Sequence, residues 1–210
     1  MKLFLASKIK EQATIDKLTD YIGGFKNKKI ALIPTASNGE NGWKHYKTKE
    51  DGTWNLVHTL DAEVQDIVLE EFRDESVIKE LENKDIIWFM GGMAGYLAYW
   101  IKRCKIDLHI KKLLNSGTLY VGSSAGAMVA GQTLQVSGWN SVDGERGSEG
   151  INPMGLVNFD ILPHFEDKYF SEIKNKYTGK KIYLLKDGEE IIVEDDKVTV
   201  IGEERVITNG

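Results

Sequence analysis

Cysteine is almost absent from this chain. Cys104 is the only one in 210 residues, which excludes an internal disulfide framework and a cysteine-rich metal site. Histidine is nearly as scarce. The four histidines (His45, His58, His109, His164) show neither His-x-x-x-His nor His-x-His spacing, so no dedicated zinc site is expected. Positive charge is not in excess: 27 Lys and Arg stand against 32 Asp and Glu, for a net charge of -5. Both signs are interspersed and no basic stripe is visible, so nucleic acid is not an expected partner. No run reaches the roughly 18 apolar residues of a transmembrane helix. The apolar stretch at Met1–Ala6 is too short for a signal peptide, and a cytoplasmic protein is expected. Internal repeats and low-complexity segments are also missing. What remains is a chain with 41% hydrophobic residues, enough for the core of a single α/β domain over residues 1–210.

The densest information lies at Tyr120–Ala127, which reads Tyr-Val-Gly-Ser-Ser-Ala-Gly-Ala. It contains Gly-x-Ser-x-Gly, with Gly122, Ser124 and Gly126 in the fixed positions. An apolar run (Thr118–Val121) leads in, and small helix-compatible residues (Ala125–Ala130) lead out. A strand, a sharp turn and a helix are therefore expected, with the Ser124 hydroxyl lifted clear of the sheet edge. The N–H groups at the start of that helix lack intrahelical partners and carry the positive end of its dipole, which suits an oxyanion. A glycine-rich turn that only needs compactness is the bland alternative.

Short apolar runs alternate with amphipathic stretches along the chain. Strands are expected at Leu3–Ala6, Lys29–Thr35, Ala62–Leu69, Ile86–Met90, Thr118–Val121, Phe159–Phe165 and Lys181–Leu185. Helices are expected at Ile9–Ile22 (stopping at Gly23-Gly24), Glu75–Glu82, Ala94–Lys102, Asp107–Asn115 with Asp107 as N-cap, and Lys168–Tyr177. A hairpin turning at Asp195-Asp196 closes the pattern. Continuous apolar strands separated by helices argue for a parallel sheet buried on both faces, with functional groups at the carboxyl ends of its strands. Trp43, Tyr46 and Trp54 are candidates for core, cleft or dimer surface. The long polar loop Ser137–Asn152 is a candidate cleft border.

Several strand ends carry reactive groups. Ser124 ends one strand, His164 a second and Asp187 a third, while Gly91-Gly92 ends a fourth. A serine needs a base, and a carboxylate holds the imidazole in the right tautomer. Each of these residues also has an ordinary structural reading, as a packing histidine, an Asp-Gly turn or a strand-to-helix glycine pair. Their coincidence at strand ends favours a site.

Gly91-Gly92 after an apolar strand, Gly122–Ala127 and Leu162-Pro163-His164-Phe165, in this order, resemble the aspartyl dipeptidase (peptidase E) and cyanophycinase family of serine peptidases. The resemblance spans most of the chain, including Ile33–Ala36. It implies an α/β three-layer sandwich of the class I glutamine amidotransferase-like or flavodoxin-like kind, with a mostly parallel central sheet flanked by helices. It implies Ser124 as nucleophile and His164 as general base. Asp187 matches the family's late carboxylate, with Glu189 and Glu190 as fallbacks. The N–H groups of Gly92 and Ala125 would form the oxyanion hole. No cofactor and no metal are implied. The partner would be a small peptide substrate, and the protein a monomer or homodimer without membrane or nucleic-acid contacts. Family members carry Gly-Gly-Asn or Gly-Gly-Asp followed by Thr, whereas this chain reads Gly91-Gly92-Met93-Ala94. No basic residue that would grip an acidic side chain is evident; Arg146 and Lys168 are the candidates. The competing expectation is a degenerate family member that binds a ligand or peptide without cutting it. A lipase-like order would need an acid between Ser124 and His164; Asp143, Glu145, Glu149 and Asp160 lie there in or near a loop, and Asp160 is the one Asp that follows an apparent strand. An amidotransferase would need cysteine at position 124.

Overall fold

The apolar runs become strands whose alternate side chains enter two separate cores. The computed structural model of the chain describes residues 1–41, 52–139 and 150–209. In chain order the elements are β1 (Lys2–Ala6), α1 (Gln12–Ile22), β2 (Lys28–Ile33), α2 (Thr35–Asn41), α3 (Gly52–His58), β3 (Ala62–Asp66), α4 (Leu69–Phe72), α5 (Ile78–Leu81) and β4 (Ile86–Phe89). There follow α6 (Ala94–Arg103), α7 (Ile106–Asn115), β5 (Leu119–Ser123), α8 (Ala125–Met128), β6 (Asp160–Leu162), α9 (Phe170–Lys176), β7 (Lys181–Leu184), β8 (Glu190–Glu194), β9 (Lys197–Ile201) and β10 (Val206–Thr208).

Seven strands form one sheet in the order β3-β2-β4-β5-β1-β8-β9. The first five run parallel. β8 lies antiparallel to β1, and β9 to β8. On one face Phe4, Ile30, Leu32, Trp88 and Val121 pack with Ile15 and Leu18 of α1 and Val57 of α3. On the other, Leu5, Ile33, Ile87, Phe89 and Tyr120 pack with Leu97 and Ile101 of α6 and Ile110 and Leu114 of α7. The side-chain period of two thus fills two cores from the same strands. Each such residue contributes roughly 1.5–3 kcal/mol by leaving water. The result is the expected α/β sandwich, a mostly parallel sheet with helices on both sides.

The structure corrects several local expectations. The first helix starts at Gln12, not Ile9, because the Ile9 backbone is already engaged: its N–H donates to Ser123 Oγ at 3.0 Å and its carbonyl accepts from Thr53 Oγ1 at 2.9 Å. The helix does stop at Gly23, which is left-handed at φ 73°. Asp107 is not an N-cap. Lys105, at φ 56°, holds that position, and Asp107 in the first turn pairs with Lys102 at 2.7 Å. The third strand ends at Asp66, and Leu69 opens α4 instead. The helix expected at Glu75–Glu82 is a short 3-10 turn, Glu75–Val77, followed by α5; the one expected at Lys168–Tyr177 is the turn Asp167–Tyr169 followed by α9.

The larger difference lies in the strands leading to His164 and Asp187. They do not extend the main sheet. β6 and β7 pair in parallel, and β10 pairs antiparallel with β7, forming a second sheet in the order β10-β7-β6. The edge of β1 is taken by β8, with Leu5 opposite Ile191, so they do not pair beside β1. The small sheet is tied to the segment after α8 through Asp160. This carboxylate, 2% exposed, accepts from the Gln132 and Thr133 N–H groups at 2.8 and 2.7 Å, from Thr133 Oγ1 at 2.7 Å and from Tyr177 Oη at 2.8 Å.

Candidate active site

Ser124 sits between β5 and α8 at φ 49°, ψ -111°. That backbone region is costly for a residue with a Cβ and persists only where surroundings enforce it. Here its N–H donates to Ala6 O at 3.0 Å. Tyr120 Oη, fully buried, donates to Gly126 O at 2.5 Å and so ties the strand to the helix. Gly126 has no alternative: a Cβ there would lie 2.3 Å from Phe89 O. The hydroxyl is turned toward His164, whose Nε2 lies 2.9 Å from Ser124 Oγ.

His164 is itself left-handed, at φ 54°. The ladder between β6 and β7 continues past both strands, with Leu185 N–H to Leu162 O and Phe165 N–H to Leu185 O, each at 2.9 Å. This places His164 beside the turn that carries Asp187. Nδ1 of His164 lies 2.6 Å from Asp187 Oδ1. A carboxylate only accepts, so the neutral ring carries its proton on Nδ1 and leaves Nε2 free to accept from Ser124. Burial raises the Asp187 pKa, but this is outweighed by the hydrogen bond and charge of His164 and by hydrogen bonds from Ser7 and Lys8, so the net direction is downward.

The fallback acids are occupied elsewhere. Glu189 pairs with Arg205 at 2.7 Å and accepts from the Lys186 N–H at 2.9 Å. Glu190, fully buried, pairs with Lys17 at 2.8 Å; its pKa is raised because burial outweighs the lysine. Asp160, the lipase-order candidate, is consumed by its four donors. Cys104 is buried and caps the end of α6 rather than lying in a strand-to-helix turn, with its thiol pushed up to about 11 chiefly by burial.

The candidate oxyanion residues, Gly92 and Ala125, follow β4 and Ser124 respectively. Ala125 opens α8. Gly91 packs against Ser124, a Cβ on it falling 3.2 Å from Ser124 Cβ. Gly92, at φ 133°, is pressed so closely on α2 that a Cβ would lie 2.3 Å from Ala36 O, and the next N–H, of Met93, donates to that same oxygen at 3.0 Å. Among the described residues neither the Gly92 nor the Ala125 N–H has a hydrogen-bond acceptor.

Of the specificity candidates, Lys168 pairs with Glu166 at 2.7 Å, while Arg146 lies outside the described residues, as do Trp43 and Tyr46. Trp54 donates to Asp66 at 3.1 Å, stacks on His58 and packs against the α1 side of the core. Residues that the sequence reading passed over also converge here: Ser7 and Lys8 at the end of β1 contact Asp187, and Lys17 reaches Gly188 O at 2.6 Å. The one available signal for Ser7 was a polar residue directly after a buried strand. Among the described residues, no three His, Cys, Asp or Glu side chains gather as a metal site, and no helix is long and apolar enough to cross a membrane.

Residues 3–201 match the model of peptidase family S51. The chain belongs to that family. The S51 peptidase is 28% identical over 202 residues to an uncharacterised peptidase of Listeria monocytogenes, covering 93% of this chain and 96% of the relative. It is 23% identical over 223 residues to a protein named peptidase E from Actinobacillus pleuropneumoniae, covering 99% and 91%. Among solved structures, a candidate peptidase E from Listeria monocytogenes superposes with a TM-score of 0.77 at 23% identity, covering 95% of this chain and 97% of that one. A peptidase from an acI-B1 Actinobacterium gives 0.69 at 19%, covering 100% and 94%. Both share the α/β fold of the S51 peptidase.

Proposed function

We propose that this peptidase cuts small peptides, in the manner of a dipeptidase, through an acyl-enzyme on Ser124. The observation that carries the reading is the chain of contacts Ser124 Oγ, His164 Nε2, His164 Nδ1 and Asp187 Oδ1, at 2.9 Å and 2.6 Å. His164 takes the proton as Ser124 attacks the carbonyl carbon, and Asp187 stabilises the imidazolium and holds its tautomer. The Gly92 and Ala125 N–H groups receive the oxyanion. The imidazolium then protonates the leaving amine, and water, activated by the same ring, releases the acid. A peptide substrate is favoured because the chain belongs to a peptidase family and relatives carry the name peptidase E.

The test is intact-protein mass spectrometry after incubation with a fluorophosphonate, wild type beside Ser124→Ala. One adduct on the wild type, absent from the variant, is expected, and a screen of dipeptides follows. A folded wild type that takes no adduct overturns the reading.

A further inference from the structure

Asp187 and His164 share a neighbour that neither the family match nor the motif reading assigns. Ser7 follows β1 and is fully buried. Its hydroxyl donates to Asp187 Oδ1 at 3.1 Å and accepts from the His164 backbone N–H at 2.8 Å. Its own N–H donates to Glu189 O at 3.1 Å. One short side chain, rooted in the central sheet beside the elbow strand, therefore grips both members of the pair from the small sheet. We infer that Ser7 is a positioning residue of the peptidase reaction, fixing the Asp187 carboxylate and the His164 ring relative to Ser124.

Three physical points support this. First, a serine has one O–H and two lone pairs, so it can donate to the carboxylate and accept from the amide at once. Alanine can do neither. Second, the His164 amide belongs to a left-handed residue, and such a conformation needs its surroundings to enforce it. Third, the ends of the strands are already joined: Ala6 O holds the Ser124 N–H, so the residue that places the nucleophile is chain neighbour to the one that places its base. Other charged groups face the same turn. Lys8 lies 3.3 Å from Asp187 Oδ2, with Glu11 3.7 Å from Lys8, and Lys17 holds Gly188 O while pairing with Glu190. None of them touches His164. Among the described residues, Ser7 is the one whose side chain bonds to both Asp187 and His164.

The inference rests on the assignment of Ser124 and His164 above, and the experiment separates the two. A fluorophosphonate reports the step directly: Ser124 Oγ bonds to phosphorus, fluoride leaves, and the serine proton passes to His164. The maximal rate of phosphonylation and the half-saturating reagent concentration are measured across pH for wild type, Ser7→Ala and Ser7→Cys, with circular dichroism to confirm folding. The cysteine variant keeps the volume of the buried site should alanine disturb it, and its thiol is a weak hydrogen-bonding group. Both variants are expected to lose roughly 10- to 100-fold in maximal rate, with half-saturation within about twofold. The acid limb of the profile should be displaced as well, since Asp187 Oδ1 loses its serine donor. A serine that only fills space would leave the maximal rate and the limb in place. A folded variant that labels at the wild-type rate with an unchanged profile overturns the role of Ser7 and leaves Ser124 standing. A folded wild type that does not label overturns the assignment beneath it.

Discussion

Replacing Asp187 by asparagine tests the site most sharply, because the substitution changes almost no volume. The wild-type carboxylate accepts on both sides: Oδ1 from His164 Nδ1 at 2.6 Å and from Ser7 at 3.1 Å, and Oδ2 from Lys8 at 3.3 Å. Asparagine has one acceptor oxygen and one amide donor. With its oxygen toward His164, its NH2 confronts the Lys8 ammonium. With its NH2 toward His164, Nδ1 must accept, the ring proton moves to Nε2, and Nε2 can no longer take the proton of Ser124. Lys8 disfavours the first arrangement, so the unproductive tautomer is expected to dominate. The rate of phosphonylation should fall by about 10⁴-fold, equivalent to ~5 kcal/mol of barrier. The fold should survive, since the Asp187 side chain is 42% exposed. Its lowered pKa also links stability to pH. The wild-type contribution is fully present above the ordinary aspartate value and is lost as pH falls through the lower folded value; the asparagine variant should lack that portion of acid sensitivity. A folded Asp187→Asn protein labelling within tenfold of the wild type would refute the tautomer argument.

Other substitutions probe the frame around the site. Gly126→Ala places a Cβ 2.3 Å from Phe89 O, a backbone atom in the central sheet; a loss of about 1–3 kcal/mol is expected, read as a fall in melting temperature of roughly 2–4 °C per kcal/mol. Lys17→Met removes the partner of fully buried Glu190. Because Lys17 is a third exposed, the cost should be about 3 kcal/mol at most. The pKa of Glu190 is already raised, so this cost should grow as pH rises through that value and shrink below it, which denaturant midpoints at several pH values will show. Cys104, buried with a thiol pushed up to about 11, should resist iodoacetamide in the folded protein and react once denatured; rapid alkylation of the native state would contradict its placement.

Much of the fold was legible because its strands are buried on both faces. Ile30–Ile33 and Ile86–Phe89 read as continuous apolar runs, which amphipathic helices do not produce. Ser124, His164 and Asp187 were legible as polar groups at the ends of such runs, and the fold brings them within hydrogen-bond reach of one another. The second sheet was not, since β6 and β10 span only three residues each, too short to show a period. Asp107 was misread as a cap because propensity alone ignores Lys102, whose ammonium it meets, and the left-handed turn at Lys105. Glu189 and Glu190 could not be told from Asp187 by position. What separates them is where their partners lie, with Arg205 and Lys17 each more than a dozen residues away along the chain.

The division of the site between two sheets has a consequence for how this protein fails. Ser124, the proposed nucleophile, is anchored at the end of a strand of the seven-stranded sheet, and His164 and Asp187, its proposed base and acid, at the strand ends of the three-stranded one. Their meeting depends on the apolar core the two sheets share and on a handful of polar bridges: Ser7 to the His164 loop, Lys17 to Gly188, and the donors around Asp160. A displacement of the small sheet by a single ångström would silence Ser124 with its own strand intact. Turnover is thus a gauge of how well two independently paired sheets are seated, and under rising heat or denaturant it should vanish before the helical signal does.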